Sequence, residues 1–183
     1  MAKAIFLDRD GTINVDREYV HKIEAFKLIP RTIDALRMLQ DAGYLLIVIT
    51  NQSGIGRGHY SEKDFYKLNE HMFALFSKNG INISKVYHCP HNPDEGCGCR
   101  KPSIKFIKEA EKEFRIDVSK SYVIGDKTAD VKMGNDASCK TILVKTGKAG
   151  NDNLHNSKPD FIAENLYDAA KIIKRIDHME KDI

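Results

Sequence analysis

No apolar run in this chain is long enough to cross a bilayer. The longest, "YLLIVI" at 44–49, falls far short of the roughly 20 residues that a spanning helix needs. No stripe of lysine and arginine marks a nucleic-acid face, and the net charge is only +3, so neither nucleic acid nor membrane is an expected partner. The opening "MAKAIFLDRD" meets charge before any stretch of signal-peptide length develops, which makes the cytoplasm the expected compartment. Internal repeats and low-complexity tracts are missing, and no insertion is long enough for a separate cap domain. Cysteine is scarce, with four residues, yet Cys89, Cys97 and Cys99 crowd together while Cys139 stands alone as a small core residue. Without a secretory signal, that crowding speaks for metal or redox chemistry before a disulfide framework.

What is present alternates. Apolar strand segments are read at 4–8 ("AIFLD"), 44–50, 83–89 ("ISKVYHC"), 121–126 ("SYVIGD") and 140–147, with a short one opening "FIAENLYDAAKIIKRI". Between them, helical spacing of apolar residues runs from Pro30 to Gly43, through Ile33, Leu36 and Leu39. It resumes from Ser61 to Gly80, with Phe65, Leu68, Met72, Leu75 and Phe76 as the inner stripe. Further helices are expected over roughly 103–115, between the last two long strands, and at the end of the chain. "NQSGIGRG" (51–58) and the polar 148–160 read as loops, the second of them exposed. The pattern predicts one α/β domain over 1–183. It is Rossmann-like, with a mostly parallel sheet, helices on both faces and no large cap. A monomer is the default.

In such sheets ligands sit beyond the carboxyl ends of the strands. Those ends carry Asp8 and Asp10, Thr50 and Asn51, and Gly125 and Asp126. Three convergent carboxylates need compensation, and an oxygen-seeking cation such as Mg²⁺ supplies it while bridging to phosphate oxygens. The Thr50 hydroxyl, the Asn51 amide and Lys101 suit phosphate oxygens. A carboxylate nucleophile, a metal and an anion cradle together describe phosphoryl transfer through an aspartyl-phosphate.

"DRDGT" (8–12), "ITNQSG" (49–54), "RKP" (100–102) and "IGDK" with Asp130 resemble, in order, the four motifs of the haloacid dehalogenase superfamily of phosphohydrolases. The resemblance implies that Asp8 is the nucleophile. Asp10 would protonate the leaving oxygen and then activate water. Thr50 and Lys101 would steady the phosphoryl group. Asp126 would hold Mg²⁺ with the Asp8 carboxylate and the Asp10 main-chain carbonyl, with Lys127 and Asp130 as supports at the metal site. Asp10 must carry a proton when the leaving group departs, while Asp8 must be ionised.

"CPHNPDEGCGCRKP" (89–102) offers Cys89, His91, Cys97 and Cys99. Three thiolates and an imidazole form a tetrahedral Zn²⁺ set. A reactive thiol pair at Cys97 and Cys99, or an iron–sulfur site, are the alternatives. His88 is read as a surface or supporting residue. With four protein ligands a zinc over 89–99 is structural, and it would hold Arg100 and Lys101 at the rim of the site.

Within the superfamily, the zinc-bearing members without a large cap include the heptose bisphosphate phosphatases and the histidinol-phosphate phosphatases. The stretch "DRDGTINVDREYVHKIEAF" resembles the former, which implies a small phosphorylated sugar as substrate. Asn14, Asp16, Asn51, Ser53 and Arg100 are the candidates for its hydroxyls and second phosphate, and Arg57 reads as surface charge. A polynucleotide end phosphatase would need a basic groove, but the loop 13–26 has mixed charge. A scaffold that had lost catalysis would lack an acid or the lysine, and a redox or zinc-transfer module would leave the acids unexplained.

Overall fold

In the computed structural model, which describes residues 1–179, the first strand sets the plan. In β1 (Lys3–Leu7) Ile5 and Leu7 face one way, Ala4 and Phe6 the other, and all four are fully buried. A strand buried on both faces requires a layer on each side. Helices α1 (Thr32–Asp41), α3 (Glu62–Lys78) and α6 (Leu166–Met179) bury Leu36, Met72 and Ile173 against the Ile5/Leu7 face. Helices α4 (Lys105–Phe114) and α5 (Thr128–Asp136) bury Ile107 and Met133 against the Ala4/Phe6 face. The last four positions of the expected domain, 180–183, lie outside the described residues.

The remaining strands are β2 (Tyr44–Asn51), β3 (Ile83–Cys89), β4 (Tyr122–Gly125), β5 (Lys140–Val144) and β6 (Phe161–Ala163). Every neighbouring pair is parallel, in the order β3-β2-β1-β4-β5-β6. The chain winds outward from β1 to one edge and then from β4 to the other, so the topology switches between β1 and β4. That is where a crevice opens in sheets of this kind. Leu7 pairs with Ile124 in the register, so Asp8 and Asp126 emerge side by side at the switch. The long connections at 8–31, 90–104 and 145–160 all follow strands, so they gather at the same carboxyl end.

Local signals account for most boundaries. Ser61 and Asp64 exchange capping bonds at the start of α3, with Asp64 N–H donating to Ser61 Oγ at 3.2 Å and Ser61 N–H to Asp64 Oδ2 at 2.9 Å. Gly43 and Gly80 take positive φ just past α1 and α3, as stop residues do. Two segments differ from expectation. The glycine-rich 51–58 folds into one helical turn, α2 (Ser53–Gly56). The polar 148–160 is not simply an exposed loop, because its first residues dock on Asp126 through backbone N–H groups. Cys139 is a core residue beside Met133, and burial pushes its thiol up to about 12, which leaves it unreactive.

Candidate active site

Asp8 leaves β1 into the crevice and is almost completely buried. Its Oδ1 accepts from Arg9 N–H at 2.8 Å and pairs with Lys101 Nζ at 2.9 Å, and its Oδ2 lies 3.6 Å from Lys127 Nζ. Burial by itself would raise this carboxyl, but the two ammonium groups outweigh it and hold Asp8 at about 2. Asp8 is therefore ionised at any working pH.

Lys101 reaches it from the connection that follows β3. Its Nζ donates to the Ile49 carbonyl (2.8 Å) and forms ion pairs with Asp8 Oδ1 and with Asp130 Oδ1 (2.7 Å). Burial disfavours the charged lysine, yet Asp130 and Asp8 raise it above its ordinary value. The Lys101 backbone is clasped as well: its N–H donates to Asn51 Oδ1 at 3.1 Å, and Asn51 Nδ2 reaches the Lys101 carbonyl at 3.4 Å. Asp130 caps α5 through Lys127 N–H (3.1 Å) and spends its other oxygen on Lys101.

Asp126 is fully buried. Its Oδ2 accepts from Lys148 N–H at 2.7 Å, but its Oδ1 has no hydrogen-bond donor and sits 3.6 Å from Lys127 Nζ. Burial, reinforced by the charge on Asp8, pushes this carboxyl up to about 7. Lys127 answers these acids: burial disfavours its charge, and Asp8 and Asp126 raise it well above the ordinary lysine value. Ligand oxygens of Asp8, Asp126 and Asp130 lie within 4.8 Å of one another. The oxygens left open are Asp8 Oδ2 and Asp126 Oδ1. As hard carboxylate oxygens that share only the Lys127 ammonium, at 3.6 Å from each, they fit an oxygen-seeking divalent cation such as Mg²⁺.

Asp10 belongs to a different network. Arg9, wholly buried, grips it through Nε and Nη2 at 2.9–3.2 Å. Asn14 Nδ2 donates to Asp10 Oδ1 at 2.9 Å and Gln52 Nε2 to Oδ2 at 3.0 Å. The two acids that share a strand end are thus turned to separate partners, Asp8 to lysines and Asp10 to an arginine and two amides. Thr50 is buried beside them and accepts from Gln52 Nε2 at 2.8 Å.

Asp8, Asp10, Gln52, Lys101 and Asp130 border a cavity of about 370 Å³. Asp16, Asn51, Ser53 and Arg100, expected to read the substrate, all line it, as do Thr50 and Lys127. Asn14 does not: it is fully buried beneath Asp10, because the turn after β1 brings its N–H onto the Arg9 carbonyl at 3.1 Å. Its amide positions Asp10 and faces away from the cavity. Arg57 is exposed and off the wall, as a surface charge would be. Sequence reasoning missed Arg9, Gln52, Tyr60 and Lys148. A signal for Arg9 was available, since a cation between two acids is the cheapest local compensation. Lys148 acts here through its backbone, which its side-chain type does not announce.

Two glycines close over Asp126. Gly11 and Gly147 have φ of +89° and +67°, and a Cβ on Gly147 would stand 2.2 Å from Asp126 Oδ2 and 2.8 Å from Gly11 Cα. We expect Gly147→Ala to destabilise the fold by about 2–4 kcal/mol, combining left-handed strain with a clash against a buried carboxylate. Thermal unfolding checks this, with a fall of roughly 5–15 °C in Tm.

The cysteine–histidine loop stands behind Lys101. Cys89 Sγ is 3.5 Å from Cys97 Sγ and 3.6 Å from His91 Nδ1. Cys99 Sγ is 3.8 Å from Cys97 Sγ and 3.3 Å from His91 Nδ1. Disulfide sulfurs would sit about 2.0 Å apart. A tetrahedral metal with bonds of about 2.3 Å to sulfur requires ligand–ligand edges of roughly 3.7 Å, and the observed edges match that figure. Donor type and spacing both fit Zn²⁺. His88 is elsewhere, stacked on Phe65 and paired with Glu62 at 3.2 Å.

A doubly wound parallel sheet with acids at its switch point, a buried lysine and a threonine on one cavity defines the class of haloacid-dehalogenase-like hydrolases. The HAD-hydrolase-like family model matches residues 98–169. The chain is 42% identical over 181 residues to the D-glycero-beta-D-manno-heptose-1,7-bisphosphate 7-phosphatase of Pasteurella multocida, covering 95% of this chain and 98% of that one. It is 46% identical over 142 residues to the corresponding alpha enzyme of Campylobacter jejuni, covering 78% and 81%. Among solved structures, the D,D-heptose 1,7-bisphosphate phosphatase of B. bronchiseptica, complexed with magnesium and phosphate, superposes with a TM-score of 0.88 at 26% identity, covering 95% and 99%. The chain belongs to the D-glycero-D-manno-heptose-1,7-bisphosphate 7-phosphatase family. Among the described residues no helix is long and apolar enough to cross a membrane.

Proposed function

We propose that this chain is a Mg²⁺-dependent phosphatase that removes the 7-phosphate of D-glycero-D-manno-heptose 1,7-bisphosphate. The observation that carries the reading is Asp8: a carboxylate held ionised by Lys101 and Lys127 at the wall of a polar cavity. Asp8 attacks phosphorus, the bond from phosphorus to the sugar oxygen breaks, and Asp10 delivers a proton to that oxygen. Water then attacks the phosphorus of the aspartyl-phosphate, Asp10 takes its proton back, and inorganic phosphate leaves with Asp8 regenerated. Thr50 and Lys101 steady the phosphoryl oxygens. Asp8 and Asp126 would hold Mg²⁺ together with the Asp10 main-chain carbonyl, with Lys127 and Asp130 as supports. When bound there, Mg²⁺ supplies positive charge for the phosphoryl oxygens.

Asp16, Asn51, Ser53 and Arg100 border the space left for the sugar and its second phosphate. Arg100 is the best placed for an anion, because its buried Nη1 has no partner. Cys89, His91, Cys97 and Cys99 hold a structural Zn²⁺ in the loop 89–99. Free thiols in such a set suit a reducing compartment such as the cytoplasm.

A substrate panel tests the reading. With Mg²⁺, kcat/KM on the heptose 1,7-bisphosphates, both anomers included, should exceed that on histidinol phosphate by at least about 100-fold. The reverse ranking would transfer the chain to the histidinol-phosphate phosphatases.

A further inference from the structure

Gln52 sits just past β2, almost completely buried, and its amide is used to capacity. Nε2 donates one hydrogen to Asp10 Oδ2 (3.0 Å) and the other to Thr50 Oγ1 (2.8 Å). Oε1 accepts from Arg9 Nη2 (3.2 Å) and from the Tyr60 hydroxyl (2.5 Å). Its backbone N–H is fastened to the Cys89 carbonyl at 2.8 Å. Turning the amide over would set its oxygen against a carboxylate and its NH₂ against a guanidinium, so these partners fix the orientation. Among the described residues no other side chain bonds both Asp10 and Thr50. Arg9 and Asn14 hold Asp10 but do not reach Thr50.

We infer that Gln52 is a positioning residue that sets the proton-donating carboxyl of Asp10 against the phosphoryl-steadying hydroxyl of Thr50. The inference rests on the roles proposed above for those two groups. Its chemistry is specific. As Asp10 gives its proton to the departing sugar oxygen, the Gln52 N–H bond to it becomes charge-assisted and strengthens. An interaction that strengthens along the reaction lowers the barrier beyond what it contributes to the resting enzyme. A leaving group that departs as a stable anion needs no such proton and gains little from it.

That difference supplies the test. Gln52→Met keeps the length and bulk of the side chain but deletes both donors. We measure kcat/KM, which covers steps only through phosphoryl transfer to Asp8, on the heptose bisphosphate and on p-nitrophenyl phosphate. The first should fall by about 100-fold and the second by no more than about 10-fold. Tyr60→Phe, which removes one hydroxyl bond to Oε1 and leaves both donors, should move the same ratio about threefold in the same direction. It decides the matter should Gln52→Met fail to fold. An equal fall on both substrates, or no fall, overturns the role of Gln52. A wild-type chain inactive on the heptose bisphosphate but active on another alkyl phosphate overturns the substrate reading instead, and the ratio is then read on that ester.

Discussion

Replacing Asp8 by Asn should lower kcat by at least about 10⁴-fold while leaving the protein folded. An amide cannot form the acyl-phosphate, so the loss is chemical and does not depend on substrate binding. The fold survives because the neighbours keep their partners. Lys101 retains Asp130 and the Ile49 carbonyl, and an Asn oxygen still accepts from the Arg9 N–H that Asp8 Oδ1 now binds. Two electrostatic effects oppose each other. Asp8, held at about 2, contributes roughly 2 kcal/mol at neutral pH. That contribution is complete above its unfolded value near 4 and is lost as pH falls through about 2. Asp126, pushed up to about 7 by burial and then by Asp8, does the reverse: its charge costs stability increasingly as pH rises from about 4 to 7. Removing the Asp8 charge forfeits the first effect and relieves part of the second, so Tm should stay within a few degrees. Circular dichroism and mass spectrometry of acid-quenched enzyme check both halves, with phosphate on Asp8 in the wild type and none in the variant. Near-normal turnover by Asp8→Asn would remove the nucleophile assignment.

The residues legible from sequence are those whose meaning is local. Asp8 and Asp126 follow apolar runs that can only be buried strands, so their position at the carboxyl edge came with the strands themselves. Cys89, His91, Cys97 and Cys99 declared themselves by donor type within one short loop. Asn14 was misplaced because its environment is set by the tight turn after β1, where the Arg9 carbonyl accepts from Thr12, Ile13 and Asn14. That turn pulls the amide under Asp10, and no periodicity reports it. Gln52 reads as one more polar residue in a glycine-rich loop, since its four partners come from residues 9, 10, 50 and 60. The same holds for 148–160, where polar side chains suggested solvent. The contacts that matter there are backbone N–H groups on Asp126, made possible by positive φ at Gly147.

Removing the zinc proposed for residues 89–99 should cost the protein both stability and activity. Purified protein should carry about one zinc per chain. Cys97→Ser, or exhaustive chelation, should lower Tm by roughly 10 °C or more and kcat by at least about 10²-fold. Structural zinc contributes on the order of 10 kcal/mol where it folds a small module, against a typical net stability of roughly 5–15 kcal/mol. Even a fraction of that is a large share of the total. The link to activity is geometric. Cys89 ends β3 and Cys99 stands two residues before Lys101, so a metal joining their sulfurs fastens the approach to Lys101 to the sheet. Without it, the Asn51 clasp and the ion pairs of Lys101 must hold that segment alone, and placement errors near 1 Å are enough to cost 10²-fold in such sites. Cys139→Ser is the control: it shares the apolar layer but stands outside the group formed by Cys89, His91, Cys97 and Cys99, so it should leave the zinc content at one. A chain that is metal-free, fully folded and as active as the wild type would show that the loop holds Lys101 by its own packing. The tetrahedral edge lengths among the three sulfurs and His91 would then have no chemical cause.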